Sequence, residues 1–467
     1  MSNLLSLLGQ TAVNLNVQQT ITSTASNNIS NASNPNYSRQ VTNLASLPAE
    51  QEGNSFIGEG VTVQSVTQIR SQFIEAQMPS AFGSSSSATS AASTLTAVTS
   101  LDPSATGGLA SQLGNYYSAL QALAQNPGDA SLRQAAVAAA QGLATAFNQT
   151  SQSITGAQNG VDSQLPSLAS QVNALSSQMA SLNAQIRMDE ASGATPNDLL
   201  DQRQSIQDQL EQLTGAVPIP DASGDINMAL PDGTSLVSGD TSSTMSTQVD
   251  VANGSHLDVL LTPPGGTALT IPTSDLGGTI GGLVGSRDGA LATALSTLDS
   301  MAFDLGNASN AVQTAGFDIN GNPGQDLFTV GGTAPGTAGT ISVSSAIIAN
   351  PGLLAAASTA TGGTGDATNL QNLIATQTTN LATSGETPVE TLANLTANYG
   401  AQTQQAQNSQ TQTGAVLQNL QQMRSSVSGV SIDAETTTID QAQNVYQALS
   451  KVITATDAML QSLMAIT

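Results

Sequence analysis

The sequence predicts an α+β multidomain protein with three parts. These are a discontinuous, coiled-coil-like helical domain formed by both termini, a helical second domain with a hairpin, and a small inserted β domain. Three observations predict it. Heptad-like apolar seams occupy the two ends, and an unbroken 3-4 spacing runs through the middle. That spacing gives way to short, turn-bounded segments between 216 and 272. The expected boundaries are 1–45 with 400–467 for the terminal domain and 46–215 with 275–399 for the mainly helical middle domain with β turns. The β domain is expected at 216–274.

The N-terminal seam is Leu5, Leu8, Ala12, Leu15, Gln19, Thr22, Ser26 and Ile29. Its C-terminal counterpart is Ile439, Ala442, Tyr446, Leu449, Ile453, Thr456, Leu460 and Leu463, widened by Val445, Val452, Met459 and Ile466. Burying each Leu or Ile contributes roughly 1.5–3 kcal/mol. Fixing the backbone costs about 1–2 kcal/mol per residue over roughly 27 residues. Four apolar anchors and an alanine do not offset that cost in isolation. The N-terminal helix is therefore expected to be largely disordered in a monomer and to fold against a partner, which hydrogen exchange along residues 4 to 29 would measure. A polar helix over 388–427 carries Val416, Leu420, Met423 and Val427 on one face.

The interior opens with a Ser-rich stretch at 84–94. Helical segments follow at 107–125 and 130–155, separated by Asn126-Pro127-Gly128. Leu165, Leu168, Val172, Leu175, Met179, Leu182 and Ile186 then form one arm of a helical hairpin. The other arm holds Leu199, Ile206, Leu210 and Leu213, with Thr195 expected to cap, Pro196 at the first helical position and Asp198 in the first turn. Leu283, Leu291, Leu295, Leu298, Ala302, Leu305 and Val312 predict a further long helix. Short strands fit 327–330 and 340–344.

Composition excludes several functions. Aromatics are 3% with no tryptophan, which disfavours a sugar-stacking surface, and the net charge of −24 disfavours nucleic acid or anionic lipid as a partner. Without cysteine there is no disulfide or thiolate chemistry, no apolar run of membrane-spanning length occurs, and no basic residue precedes Arg39 to form a signal-peptide n-region. His256, in Ser255-His256-Leu257-Asp258, is expected to be a solvent-facing strand residue. Neighbours on a strand point to opposite faces and cannot assemble a triad. Asp318, Asn320 and Asn322 imitate the start of a calcium loop, but Pro323 and Thr329 stand where Gly and Glu are needed, so an Asx-rich turn is expected. The glycines of 277–282 lack phosphate-loop spacing, and Asp189-Glu190 needs only solvent. No catalytic, cofactor or metal residues are assigned.

The stretch SNNISNASNPNYSRQ, residues 26 to 40, resembles the signature of flagellar rod, hook and hook-associated proteins, carried by Asn27, Asn28, Ile29, Asn31, Pro35, Tyr37, Arg39 and Gln40. Asn36 stands where that family usually has Gly, and a positive φ is expected there. Asn197 to Arg203, with Leu199, Leu200, Asp201, Gln202 and Arg203, is similar to an element of the hook-associated protein 1 branch. So are Ser235 to Gly239, LGGTIGGLVGSRD at 276–288, GFDINGNPGQDLF at 316–328 and SGVSIDAE at 428–435.

The resemblance implies a non-enzymatic structural subunit at the junction between hook and filament, with trimmed outer domains. It further implies type III flagellar export without a cleaved signal, an extracellular location and self-association in a ring. The implied partners are hook protein below, hook-associated protein 3 above, and an export chaperone on the C-terminal helix. The expected assembly interface is Leu5, Leu8, Leu15, Ile29, Ile439, Tyr446, Leu449, Ile453, Leu460 and Leu463. The alternatives are another axial subunit, such as hook protein or hook-associated protein 3, and a secreted adhesin acting through 216–272.

Overall fold

Apolar periodicity at the N-terminus yields helix α1 (Ser2–Ser30) in the computed structural model, which describes residues 2–52, 55–101 and 107–465. Ile466, placed above in the C-terminal stripe, lies outside the described residues. After α1 the chain forms an antiparallel pair that sequence patterning left unassigned, β1 (Gln40–Ser46) with β4 (Val61–Gln68). A bulge sits at Asn43/Leu44, and the shorter β2 (Glu50–Glu52) and β3 (Ser55–Ile57) pair between them.

A single turn, α2 (Gln72–Glu75), leads into α3 (Met78–Thr96), so the Ser-rich stretch is helical. α4 (Leu109–Gln125) ends near the expected Pro-Gly turn. The next helix, α5, runs from Ala130 to Ala191 without interruption and merges two segments that the sequence separates. Pro166 removes one backbone bond from its interior, but Leu165, Ala169, Val172 and Met179 are buried on one face, and that packing carries the helix through.

α6 (Asn197–Thr214) returns along α5 and buries Ile206 and Leu210, with Leu199 and Leu213 packed at the margin. Its start departs from expectation. Pro196 takes the position before the first helical residue, and no side chain caps it, Thr195 included. Asn197 instead exchanges bonds with the β4 region: its Nδ2 donates to the Val66 carbonyl at 2.8 Å and its carbonyl accepts from Gln68 Nε2 at 2.7 Å.

Two small antiparallel sheets follow. One is β5 (Val217–Pro220), β6 (Ile226–Ala229), β7 (Ser235–Ser238) and β8 (Thr241–Ser242), paired in sequence order. The other has the order β11-β10-β9, from β9 (Thr244–Asp250), β10 (His256–Thr262) and β11 (Leu269–Thr270).

The predicted long helix is split into α7 (Gly278–Ser286), a π-helical turn (Arg287–Leu291) and α8 (Ala292–Ala315). β12 (Phe328–Thr329) and β13 (Ser342–Val343) pair near the expected positions, with α9 (Thr337–Thr340) between them and α10 (Ser345–Ala349) and α11 (Thr368–Ala375) beyond. The polar helix α12 (Pro388–Ser428) begins with a reciprocal Thr387–Glu390 capping box, and α13 (Ile432–Met464) packs along α1.

The glycine run of α7 is a packing device. A methyl group on Gly282 would lie 2.1 Å from the Ser87 carbonyl oxygen of α3, whereas one on Gly285 meets nothing within 4 Å. Backbone cannot yield as a flexible side chain does. Gly282→Ala is expected to destabilise the protein by about 1–3 kcal/mol, seen as a lower thermal midpoint, while Gly285→Ala leaves it unchanged or raises it.

Candidate assembly site

The signature residues gather where α1 ends, β1 begins, α6 starts and α12 passes into α13. Asn34 and Tyr37 close a turn, the Tyr37 amide donating to the Asn34 carbonyl at 3.2 Å, with Pro35 at its first central position. Asn36 is not in the left-handed region: among the described residues only Ser255 is a non-glycine with positive φ. The expected positive φ is absent, and the Asn36 amide donates to Asn34 Oδ1 at 3.1 Å.

Asn28 is fully buried at the centre of the cluster. Its Nδ2 donates to the Gln40 carbonyl at 2.9 Å and to Glu435 Oε2 at 3.1 Å. Its Oδ1 accepts from the Tyr37 hydroxyl at 2.7 Å and from the Gln40 amide at 2.9 Å. Arg39 Nε donates to Glu435 Oε1 at 2.6 Å, and the Arg39 amide donates to the Ser428 carbonyl at 2.8 Å. One carboxamide and one carboxylate thus tie the start of the chain to its last helix. Burial, with the nearby Asp201, Asp198 and Glu435 carboxylates, pushes the Tyr37 phenol up to about 12, so it stays a donor at neutral pH.

The second signature joins the same cluster. Asp201 accepts from Arg70 Nη2 at 2.8 Å and from the Ser38 amide at 3.3 Å, and Arg70 also donates to Ser38 Oγ and Gln204 Oε1. Arg203 reaches away, to Asn183 Oδ1 at 3.2 Å and the Gly224 carbonyl at 3.0 Å, fastening the hairpin to the first sheet. Leu199 and Leu200 are half-buried against the core, while Gln202, Asn27 and Pro35 are exposed and Asn31 is half-buried. Arg424 of α12 adds a further tie, to Glu75 at 3.0 Å and Asp208 at 2.8 Å.

The proposed seam residues have mixed surroundings. Leu8, Leu15, Ile29, Ile439, Leu449, Ile453 and Leu460 are half-buried, whereas Leu5, Tyr446 and Leu463 stay exposed. A groove of about 790 Å³ opens between α1 and α13, lined by Gln19, Thr22, Ser26, Tyr446 and Gln447 among others. The residues α1 does bury, Thr11, Val17, Ala25 and Asn28, all lie outside the apolar seam, and of these only Asn28 is singled out by the sequence, as a signature residue.

His256 is not solvent-facing. Its Nδ1 lies 2.6 Å from Asp162 Oδ2, and both side chains are largely covered. Asp318 Oδ1 accepts from the Asn320 and Asn322 amides, each at 2.8 Å, which is the expected Asx-type turn. Among the described residues no helix is long and apolar enough to cross a membrane.

Comparison with known proteins fits this arrangement. The profile of the flagellar hook-associated protein FlgK helical domain matches residues 95–328, half of the chain. The chain belongs to the FlgK family. It is a family of structural flagellar proteins, not of enzymes. A second profile, the flagellar basal body rod FlgEFG protein C-terminal region, matches 421–466. Flagellar hook-associated protein 1 of Bacillus subtilis (strain 168) is 30% identical over 483 aligned positions, covering 96% of this chain and 95% of that protein. The Salmonella typhimurium protein of the same name is 30% identical over 329 residues, where the match covers 70% of this chain and only 60% of the relative's length. The solved structure of the flagellar hook junction protein FlgK from Burkholderia pseudomallei shares the fold, with a TM-score of 0.68 at 20% identity, over 76% of this chain and all of that one.

Proposed function

We propose that the chain is the structural subunit joining hook to filament, assembling through coiled-coil-like packing of α1 and α13 with copies of itself in a ring. Hook protein contacts it on one side and hook-associated protein 3 on the other. An export chaperone holds the C-terminal helix beforehand, and export proceeds by the flagellar type III route without a cleaved signal. The observation that carries this reading is the polar cluster centred on Asn28 and Glu435. It fixes both chain ends in one position while leaving apolar residues such as Leu5, Val445, Val452 and Leu463 exposed along α1 and α13. Two helices held in register with apolar residues to spare are suited to a further partner.

Complementation tests it. A flagellated strain lacking its junction protein makes hooks without filaments and sheds filament protein, and this chain is expected to restore attached filaments. Extended hooks with no filament would make it a different axial subunit.

A further inference from the structure

The buried apolar side chains form two separate large clusters, and one thin polar layer divides them. On α5 the first cluster ends at Ile154 and the second begins at Val161; on the return crossing the second ends at Val284 and the first resumes at Ala290. Between them lie Gln158, Ser286, Arg287 and Asp288, and Asp162 borders the layer at the start of the second cluster. The Arg287 side chain is fully buried. Its Nη1 donates to Asp162 and to the Leu257 carbonyl, and its Nε and Nη2 donate to Asp288 at 2.7 and 3.0 Å. Asp162 also holds the Leu257 amide and His256, and Asp288 accepts from Asn253 and Thr273. Contacts across the layer are therefore directional rather than packed.

Both backbone crossings are weakest at this same level. On α5, Gly156 and Gly160 leave open space where a methyl group would sit. Pro166 has no N–H to offer the carbonyl four residues earlier, that of Asp162 itself. On the return, the π-helical turn Arg287–Leu291 contains Gly289 and follows Gly285. Two dry cores, a polar layer between them and two softened crossings have the anatomy of a hinge.

We propose that residues 156–166 and 285–291 form a hinge between the helical body and the end that bears the β5–β11 strands, with Arg287 as its latch. With the latch closed, the two bodies keep one angle; with it open, each moves as a unit and its own core stays intact. If α1 and α13 are fixed in a polymer, as proposed above, the latch sets the angle between the two bodies beside it, because α6 of the β-bearing end is itself tied to that site through Asp201. The hinge itself does not depend on that reading.

Because the chain lacks cysteine, spin labels can be placed cleanly at Val251→Cys, on the turn after β9, and Ile348→Cys, in α10. Pulsed electron-spin distance measurement on the full chain is expected to give one narrow distribution. Arg287→Met should make it roughly twofold wider or add a second distance, while amides inside each cluster keep their exchange protection. Adding Gly156→Ala and Gly160→Ala should narrow it again. Asp162→Asn, which weakens the latch from the other side, is read the same way if Arg287→Met does not fold. An unchanged distribution, or one that stays broad after the alanines are added, overturns the hinge. So does loss of protection in both clusters in both variants, which would make Arg287 a brace of the whole core.

Discussion

Asn28→Leu is expected to release α1 and β1 from α13 while the rest of the molecule stays folded. The substitution keeps the branched shape and heavy-atom count but removes all four hydrogen bonds of the carboxamide. The Gln40 amide and carbonyl and the Tyr37 hydroxyl lose their partner inside the protein, and the nearly fully buried Glu435 retains only Arg39. Each buried group left unpaired costs about 1–3 kcal/mol, and breaking a buried charged network costs about 3–5 kcal/mol in all. α1 has little apolar burial to set against that: its predicted seam is exposed or half-buried, and Val17 and Ala25 are its only fully buried apolar side chains among the described residues. The structure corrects the expectation of a disordered N-terminal helix, since α13 of the same chain packs along α1. Hydrogen exchange should therefore show protection of α1, β1 and α13 in the unmodified chain and its loss in the variant, with the α4–α5 core unchanged, and cells carrying the variant should lack attached filaments. Asn27→Ala, one residue away and exposed, should change local stability by no more than about 0.5 kcal/mol. Unaltered protection in Asn28→Leu would show that apolar contacts hold the two ends together.

Some local signals in the sequence translated into structure, though Thr195 does not cap α6 and Asn36 does not take a positive φ, and long-range contacts could not be read. The Asx turn at Asp318 and the 3-4 spacing from Leu165 to Ile186 each involve residues within a few turns of one another. The gap left between residue 155 and Leu165 is helical, and Pro166 does not break the helix because apolar burial on both sides of it outweighs one lost backbone bond. The sequence assigns no secondary structure to the Ser-rich stretch, yet small side chains are what let α3 lie against Gly282 of α7. Strands β1 and β4 went unread because their burial hardly alternates: every position is half-buried or exposed except Gln40. For the site, the signature residues could be named from the sequence, but their convergence could not. Asn28 and Glu435 are 407 positions apart and Ser38 and Asp201 are 163 apart, so no spacing rule brings either pair together. Likewise Asp162 gives no sign in the sequence of meeting His256.

Stability is expected to fall as pH rises from about 5 to 9, and Glu211→Gln to remove much of that fall. Glu211 lies on α6 with no solvent exposure. Its Oε1 accepts from Gln207 Nε2 at 2.8 Å, and its Oε2 has no partner. Arg424 is the cation near it, but that guanidinium is already bound by Glu75 and Asp208. Burial therefore dominates and pushes the carboxyl from its ordinary 4.5 to about 8. The sign follows from proton binding. Between these two values the folded protein holds a proton that the unfolded chain has released. The contribution is thus fully present below about 4.5 and is lost as pH rises through about 8. A shift of this size is worth at most about 4–5 kcal/mol. Glutamine keeps the shape and the Gln207 contact without the titration, so denaturant unfolding at pH 5 should barely separate the two proteins. At pH 9 the variant should be the more stable by several kcal/mol. Buried Asp201 and Asp299 are also shifted upward, but they are common to both proteins and cancel in the difference. Parallel stability curves across this range would mean that Glu211 is ionised in the fold and that Arg424, despite its other partners, supplies the compensating charge.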